Sequence, residues 1–411
     1  MTTEEEETPM TGESVRASNA LTARWARAAF TGRAGALSAA GLWPLLALLS
    51  GAAREPGRAE LREAAGVDAA LGGKHARELL GLLDGSTAAS GALGVWARAD
   101  LPLEPSWREA VPEGSRGELS CDPAGQARLD GWVERHTGGR LTRMPIEVRP
   151  DTLLVLATAL SVDTRWRQPF QNVPLRIERG PWGGRARDAA GLSRTGRDLG
   201  PLALAETPAG PVTLLTVAGE DDVDVVLCLG EPERPAGEVL AAAVEATGGH
   251  HPVRQGEELL ERARAGAVPG VGVFTIDAFT PEPTLSVTTV RFDLAAEHDL
   301  LERAGLFGLA TVSDGDPRGH FPGISRVPLR VDQARQDVTA TFTAEGFKAA
   351  AVTAFAVAAA GIPMSRAPFV SARFDRPFGC VARHRPSGLA LLAGWIAEPE
   401  DWPDGLSTSP W

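Results

Sequence analysis

Two hydrophobic patterns divide the chain: helical spacing near its start and strand-like runs later. Over residues 21–94, apolar side chains recur three and four positions apart, as at Leu61, Ala64 and Ala65, and this spacing predicts helices. The apolar run at residues 153–156 predicts a strand buried on both faces. Because helices concentrate early and strands late, the pattern favours an α+β fold over alternating βαβ units.

The second half of the chain alternates between the two textures. Residues 223–228, 284–290 and 337–343 have the composition of strands, and residues 236–267 return to helical character with a break around Gly248. No fixed repeat period is visible, so a solenoid is not predicted.

Composition bounds the domain count and the possible partners. The 411 residues, 43% of them hydrophobic, are enough for one large core. Four consecutive glutamates at residues 4–7 predict a disordered acidic tail over residues 1–15. Length alone allows one large domain or two to three ordinary ones. The net charge of −12 argues against binding to nucleic acid or to an anionic membrane surface.

No targeting or membrane segment is predicted. The acidic start lacks the basic and apolar regions of a secretory signal. The apolar run at residues 37–53 contains Pro44 and is short for a membrane span, so a buried helix is expected. This pattern favours a cytoplasmic location.

The sequence offers no catalytic or metal-binding motif. None of the seven histidines has a partner at metal-ligand spacing. Ser193 lacks the glycine that would complete a nucleophile elbow, and the Gly270-Val-Gly272 segment lacks the third glycine of a dinucleotide site. Cys121, Cys228 and Cys380 are far apart and predict no disulfide framework. Neither an enzyme nor a cofactor is expected.

Several short motifs, taken in order, resemble the serpin family of serine protease inhibitors, and the chain resembles a divergent member. The W-x-x-P-F segment at Trp166–Phe170 follows the predicted strand at 153–160, as it does in serpins. The other matching segments lie at residues 129–141, 299–307, 321–325, 376–378, 386–388 and 391–395. The resemblance covers roughly residues 20 to 398, and it implies a single domain over residues 16–400, followed by a short tail at 401–411. It implies N-terminal helices packed on a large mixed β-sheet, with smaller sheets and an exposed reactive loop.

The most informative segment, residues 343–353, resembles the serpin hinge that begins the reactive loop. A segment that becomes the central strand of a sheet needs small side chains and free backbone N–H groups, and therefore no proline. No proline occurs between Gly346 and Ile362. An exposed helix or flexible linker is the alternative interpretation of this alanine-rich stretch. The predicted hinge consists of Gly346, Phe347, Lys348, Ala349, Ala350, Ala351, Val352 and Thr353.

The resemblance implies that a target protease cuts the loop, remains attached as an acyl ester, and is carried along as the hinge inserts into the large sheet. Serpin spacing counted from Gly346 places the cut at Ala360-Gly361, which suits an elastase-like or subtilisin-like protease. Met364-Ser365 is the alternative bond, and Arg366 would attract a trypsin-like enzyme. The expected partner is thus a serine protease, or a cysteine protease, met by a monomeric inhibitor. Family resemblance also allows an extracellular location.

Three groups of residues depart from the family pattern: Phe347, the pair Gln336 and Thr158, and residues 37–41, which replace the S-P-x-S motif of the buried helix. Phe347 stands where inhibitory serpins carry Thr or Ser, and overpacking of a filled core costs about 1–3 kcal/mol. Gln336 and Thr158 replace a histidine and an asparagine that form a polar latch under the sheet, and Trp166 marks the top of the sheet where insertion starts. A serpin whose loop never inserts, acting as a binding or scaffolding protein, is therefore the alternative function.

Overall fold

The computed structural model describes residues 12–347 and 365–403. Within them the chain forms eight α-helices, in chain order α1 Glu13–Ala29, α2 Ala39–Ala52, α3 Gly57–Ala65, α4 Gly72–Asp84, α5 Pro105–Ala110, α6 Pro123–His136, α7 Ala236–Thr247 and α8 Gly256–Arg264. Single 3₁₀ turns lie at Ala69–Leu71, Glu113–Ser115, Leu300–Arg303 and Thr311–Ser313.

The same residues form nineteen strands. In chain order they are β1 Gly35–Leu37, β2 Ala89–Ala97, β3 Arg116–Glu118, β4 Leu154–Val162, β5 Thr164–Arg165, β6 Gln171–Leu175, β7 Ala189–Gly196, β8 Leu202–Thr207, β9 Gly210–Ala218, β10 Val223–Leu229, β11 Val253–Arg254, β12 Val271–Ala278, β13 Thr284–Val290, β14 Phe292–Asp299, β15 Arg335–Phe342, β16 Gly346–Phe347, β17 Ser365–Arg373, β18 Phe378–His384 and β19 Ala390–Ile396.

Four sheets organise these strands. One has the order β1-β19-β18-β10-β9-β8-β11, and a second has the order β12-β17-β13-β7-β6. The third has the order β14-β15-β16-β5, and the fourth has the order β3-β2-β4. These two sheets are connected directly along the chain, because β5 begins two residues after β4 ends. Helices and strands are largely segregated along the chain, so the predicted α+β class is confirmed.

The helix α2 is apolar on nearly all sides, as expected of a helix enclosed by the core. Its side chains Trp43 and Leu46 are completely buried. Pro44 is the sixth residue of the helix, where its ring removes one intrahelical hydrogen bond. Ser38 caps the helix by accepting a hydrogen bond from the Gly41 N–H. The sequence-based prediction of a buried helix here is correct. No helix in the described part of the chain has the length and apolar character needed to cross a membrane.

The domain extends past both predicted boundaries. The disordered tail predicted up to residue 15 overlaps α1, which begins at Glu13 and buries Val15. At the other end, the predicted tail at 401–411 overlaps ordered structure, because the Trp402 N–H bonds to the Asp188 carbonyl and Asp401 pairs with Arg185. Local charge suggested the earlier boundaries, whereas contacts distant in sequence fix these ends. Residues 1–11 and 404–411 lie outside the described residues.

A buried carboxylate ties the seven-stranded sheet together at one end. Asp224 is 3% exposed and accepts hydrogen bonds from Arg385 Nη2 at 2.7 Å and Nε at 3.0 Å. It also accepts one from the Gly219 N–H, and Arg385 Nη2 donates to the Gly219 carbonyl. The pair therefore fixes the turn between β9 and β10 to the chain that follows β18.

We predict that Asp224→Ala lowers the free energy of unfolding by about 3–5 kcal/mol, because it leaves the Arg385 guanidinium without its buried partner. Urea unfolding at pH 7 measures the loss. The matched control is Glu282→Ala, which breaks the exposed 2.8 Å pair with Arg197 and should change stability little. Equal effects of the two substitutions would contradict this account of the Asp224 pair.

Candidate functional site

The strand β4 has one edge that no described strand covers, and β15 has one edge that β16 covers only at Phe342. β4 pairs antiparallel with β2 over its whole length, and β15 pairs antiparallel with β14. No pairing joins β4 to β15 within residues 12–347 and 365–403. Each strand therefore presents backbone N–H and C=O groups to the space between them, and these groups can accept another strand.

A cavity of 340 Å³ lies beside these two edges. The apolar face of α2 lines one side, through Leu42, Leu45 and Leu49, and Phe347 lines the cavity as well. Alternate residues of β4, including Leu156 and Leu160, pack against the same core. The cavity follows the two strands that line it, and its lining is mainly apolar. It therefore suits a strand with small or apolar side chains on its inner face.

The hinge already enters the sheet at one end of this gap. In β16, Gly346 pairs with Arg165 of β5, and Phe347 pairs with both Thr164 of β5 and Phe342 of β15. Phe347 is 3% exposed. The expected overpacking at this position is therefore not seen in the described fold, because the sheet already accommodates the aromatic ring.

Trp166 holds the turn that leads into the hinge. Its indole N–H donates to the Thr343 carbonyl at 3.0 Å, and its backbone N–H donates to the Glu345 carbonyl at 2.9 Å. The ring packs on Phe342, with centroids 4.9 Å apart. The structure thus places Trp166 at the junction of β5, β15 and β16, where the sequence comparison located the start of insertion.

Gln336 and Thr158 bind to the start of α2 rather than to each other. Gln336 accepts a hydrogen bond from the Ser38 N–H at 3.1 Å and donates to the Ser38 carbonyl at 2.8 Å. The Thr158 hydroxyl donates to the Gly41 carbonyl. Ser38 also donates through its hydroxyl to the Leu391 carbonyl at 2.6 Å. These contacts, here called the polar latch, join β4 and β15 separately to the helix beneath them.

Charged groups border the gap. Arg140 donates to the Ser161 hydroxyl and to the Asp163 carboxylate, both at 2.9 Å, near the end of β4. Burial lowers the pKa of Arg140, and the Asp163 charge partly offsets this effect. On β15, burial and the neighbouring Glu297 carboxylate raise the pKa of Asp337. The described residues contain no group of three side chains suited to hold a metal ion.

The strand that follows the loop is held on both edges. β17 begins at Ser365 and pairs antiparallel with β12 from Ser365↔Ala278 to Ala372↔Val271. On its other edge it pairs in parallel with β13. The described chain therefore ends at Phe347 in β16 and resumes at Ser365, which pairs with Ala278 of β12.

The structure brings together Trp166, Thr158, Gln336, Gly346 and Phe347 around one gap. The other predicted site residues lie outside the described residues, apart from Ser365: they are Lys348, Ala349, Ala350, Ala351, Val352, Thr353, Ala360, Gly361 and Met364.

Sequence patterns missed two parts of this site. Gln336 binds the main chain of Ser38, which lies 298 positions away in the sequence. In the sequence, Ser38 stood out only as one residue of a segment that departs from a family motif. The pairing of β12 with β17 was not anticipated. Only the helix-capping tendency of serine signalled the role of Ser38.

Comparison with known proteins supports the fold but not an activity. No protein-family model matches the chain, and no curated protein matches it. Two solved structures of thyroxine-binding globulin, one specified as human and both complexed with thyroxine, are similar to it. Each match has a TM-score of 0.67 and 14% sequence identity. Each covers 94% of this chain, and the matches cover 98% and 99% of the globulin chains. Thyroxine-binding globulin has the serpin fold. This chain therefore has the serpin fold.

Proposed function

We propose that this protein is a suicide-substrate inhibitor of serine proteases, in which a cut reactive loop inserts between β4 and β15. The observation that carries the proposal is the gap itself, whose two open strand edges flank the apolar cavity and meet at the partly inserted hinge.

The two pairings of Phe347 set the register of the inserted strand. Phe347 lies opposite Thr164 on one side and Phe342 on the other. Moving six residues along the loop and six back along each partner places Thr353 opposite Thr158 and Gln336. The inserted strand would run antiparallel to both neighbours, so it would complete both ladders at once.

This register assigns side chains to the two faces of the sheet. Ala349 and Ala351 would face the core, with Ala351 between Leu160 and Val338. Lys348 and Ala350 would face outward, because successive side chains alternate. Thr353 would bring a hydroxyl to the polar latch, where Thr158 and Gln336 already supply hydrogen-bonding groups. The residues of the hinge thus match the apolar and polar positions of the gap in order.

Chain length makes full insertion depend on cleavage. Insertion from Phe347 to Val357, opposite the start of β4, would carry the chain about 33 Å down the gap. The eight remaining steps to Ser365 span at most about 29 Å. Because β17 is paired on both edges, the uncut loop is too short to reach the far end and return. A cut anywhere after Val357 removes this limit.

The chemistry of the trap comes from the target protease. Its serine Oγ attacks the carbonyl carbon of the scissile bond and loses its proton, and the peptide C–N bond breaks. The proton passes to the new amine at the start of the downstream fragment, and the upstream fragment remains as an acyl ester on the protease. Each new ladder hydrogen bond contributes about 0.5–1.5 kcal/mol, so about a dozen supply on the order of 10 kcal/mol to move the attached protease.

The alternative function is that of a non-inhibitory carrier or scaffold. The similar solved structures are of thyroxine-binding globulin in complex with thyroxine, and this likeness supports a binding function as the alternative. The gap beside the hinge favours inhibition, because a carrier function does not require open strand edges there.

Cleavage should make the protein markedly more heat-stable. Limited digestion with pancreatic elastase, subtilisin or trypsin, followed by mass mapping, identifies a cut between Val357 and Arg366. We expect a rise in Tm on the order of 10 °C, because a new strand completes the sheet. After incubation with an active protease, an SDS-stable band that contains both proteins would demonstrate the trap. A confirmed cut with an unchanged or lower Tm would favour the carrier function.

Ala351→Arg should convert inhibition into simple substrate cleavage, because the guanidinium would be buried between Leu160 and Val338 without a partner. The matched control is Ala350→Arg, whose side chain the same register places outward. The measurement is the fraction of protease trapped per inhibitor cleaved. If Ala351→Arg traps protease as well as the wild type, the proposed insertion is wrong.

The polar latch should stabilise the uncut protein. We expect Gln336→Ala to lower the free energy of unfolding by about 1–3 kcal/mol, because both main-chain groups of Ser38 lose a partner. Gln255→Ala serves as the control, since Gln255 makes one exposed hydrogen bond, to the Gly200 carbonyl. A loss no greater than that of the control would contradict the latch.

A further inference from the structure

Three large apolar side chains lie exposed at and just beyond β12. Phe274 is 59% exposed, Ile276 37% and Phe279 52%. We call these three residues the aromatic strip. Phe274 and Ile276 point to the same face of the sheet, opposite Phe369 and Ala367 of β17. No described strand pairs with the outer edge of β12, so the strip borders an open sheet edge. Such a concentration of exposed apolar groups marks a surface that meets a partner.

The position of the strip indicates which partner. Ala278 is the register partner of Ser365, where the reactive loop re-enters the fold, and Phe279 is the next residue along. The Met364-Ser365 bond is therefore adjacent to Phe279. The Ala360-Gly361 bond is five residues from Ser365, or at most about 18 Å. The strip thus begins directly beside the place where a protease would grip the loop.

The size of a protease makes contact with this surface difficult to avoid. Protease–inhibitor interfaces bury about 800 Å² on each partner, which corresponds to a disc of radius about 16 Å. A disc centred on Met364-Ser365 reaches Ala278, the end of β12 next to Phe279, and one centred on Ala360-Gly361 reaches it when the intervening chain spans less than about 16 Å. Phe274 is four residues from Ala278, or about 14 Å, so it falls within reach when the cut is at Met364-Ser365.

The charged residues near the strip are paired or lie on the other face of the sheet, so apolar surface is the main property of the strip. Glu282 is paired with Arg197 at 2.8 Å. Asp277 lies opposite Arg366 in the register of β12 and β17, on the face away from Phe274 and Ile276. A partner that covers the strip would therefore gain mainly by removing aromatic surface from water.

We propose that the aromatic strip is an accessory docking surface for an elastase-class or subtilisin-class serine protease bound at the reactive loop. The strip would hold the protease during the first encounter, before the loop is cut. This proposal rests on the proposed inhibitory function and adds a second point of contact to it.

The test compares two double variants. Phe274→Ser with Phe279→Ser removes the ends of the strip. Leu71→Ser with Val253→Ser is the matched control, because these residues are 45% and 43% exposed and lie outside the β12–β17 sheet. Binding is measured to pancreatic elastase and to subtilisin whose active-site serines are replaced by alanine, so neither cleavage nor insertion contributes. Unchanged Tm values confirm that both variants fold.

We expect the strip variant to bind at least one inactive protease about ten-fold more weakly than the wild type, as for loss of central apolar contacts, and the control to bind as the wild type does. The proposal is overturned if the strip variant keeps wild-type affinity for both proteases, if the control weakens equally, or if the wild type binds neither. Failure of the proposed inhibitory function would be recognised independently, by the absence of a Tm rise after cleavage, because the strip takes no part in that rise.

Discussion

The edges of β4 and β15 that face the gap, where the described chain supplies a strand partner only at Phe342, are the constraint on which the rest of the structure depends. A strand edge beside an apolar cavity is a site where hydrogen-bonding groups and hydrophobic surface both lack partners, and a further strand can supply both. The hinge at Gly346 and Phe347 is already paired at one end of the gap. The fold thus contains the beginning of the strand that would complete it.

Two sets of contacts keep this incomplete arrangement in place. The polar latch ties β4 and β15 to α2 through Thr158 and Gln336, so the two edges are supported from below. At the far end of the loop, β12 and β13 hold β17 on both sides. Under the proposed function, the uncut loop would be too short to reach the end of the gap from this anchor, so cleavage of one peptide bond would control completion of the sheet.

Much of the fold and part of the site could be predicted from the sequence. The order of short motifs identified the fold, and the proline-free, small-residue stretch after Gly346 located the hinge. The contact of Gln336 with Ser38, the burial of Phe347 and the pairing of β12 with β17 depend on partners far away in the chain, which local patterns do not encode. The same limit applies at the ends of the domain, where α1 begins at Glu13 and Asp401 pairs with Arg185.

Amide hydrogen exchange of the intact and the cleaved protein tests the central claim most directly. The account predicts that cleavage between Val357 and Arg366 slows exchange in both β4 and β15, since the inserted strand would occupy their open edges. Strands remote from the gap, such as β10 and β18, serve as internal references because their pairings do not change. Unchanged exchange in β4 and β15 after a confirmed cut would contradict the account.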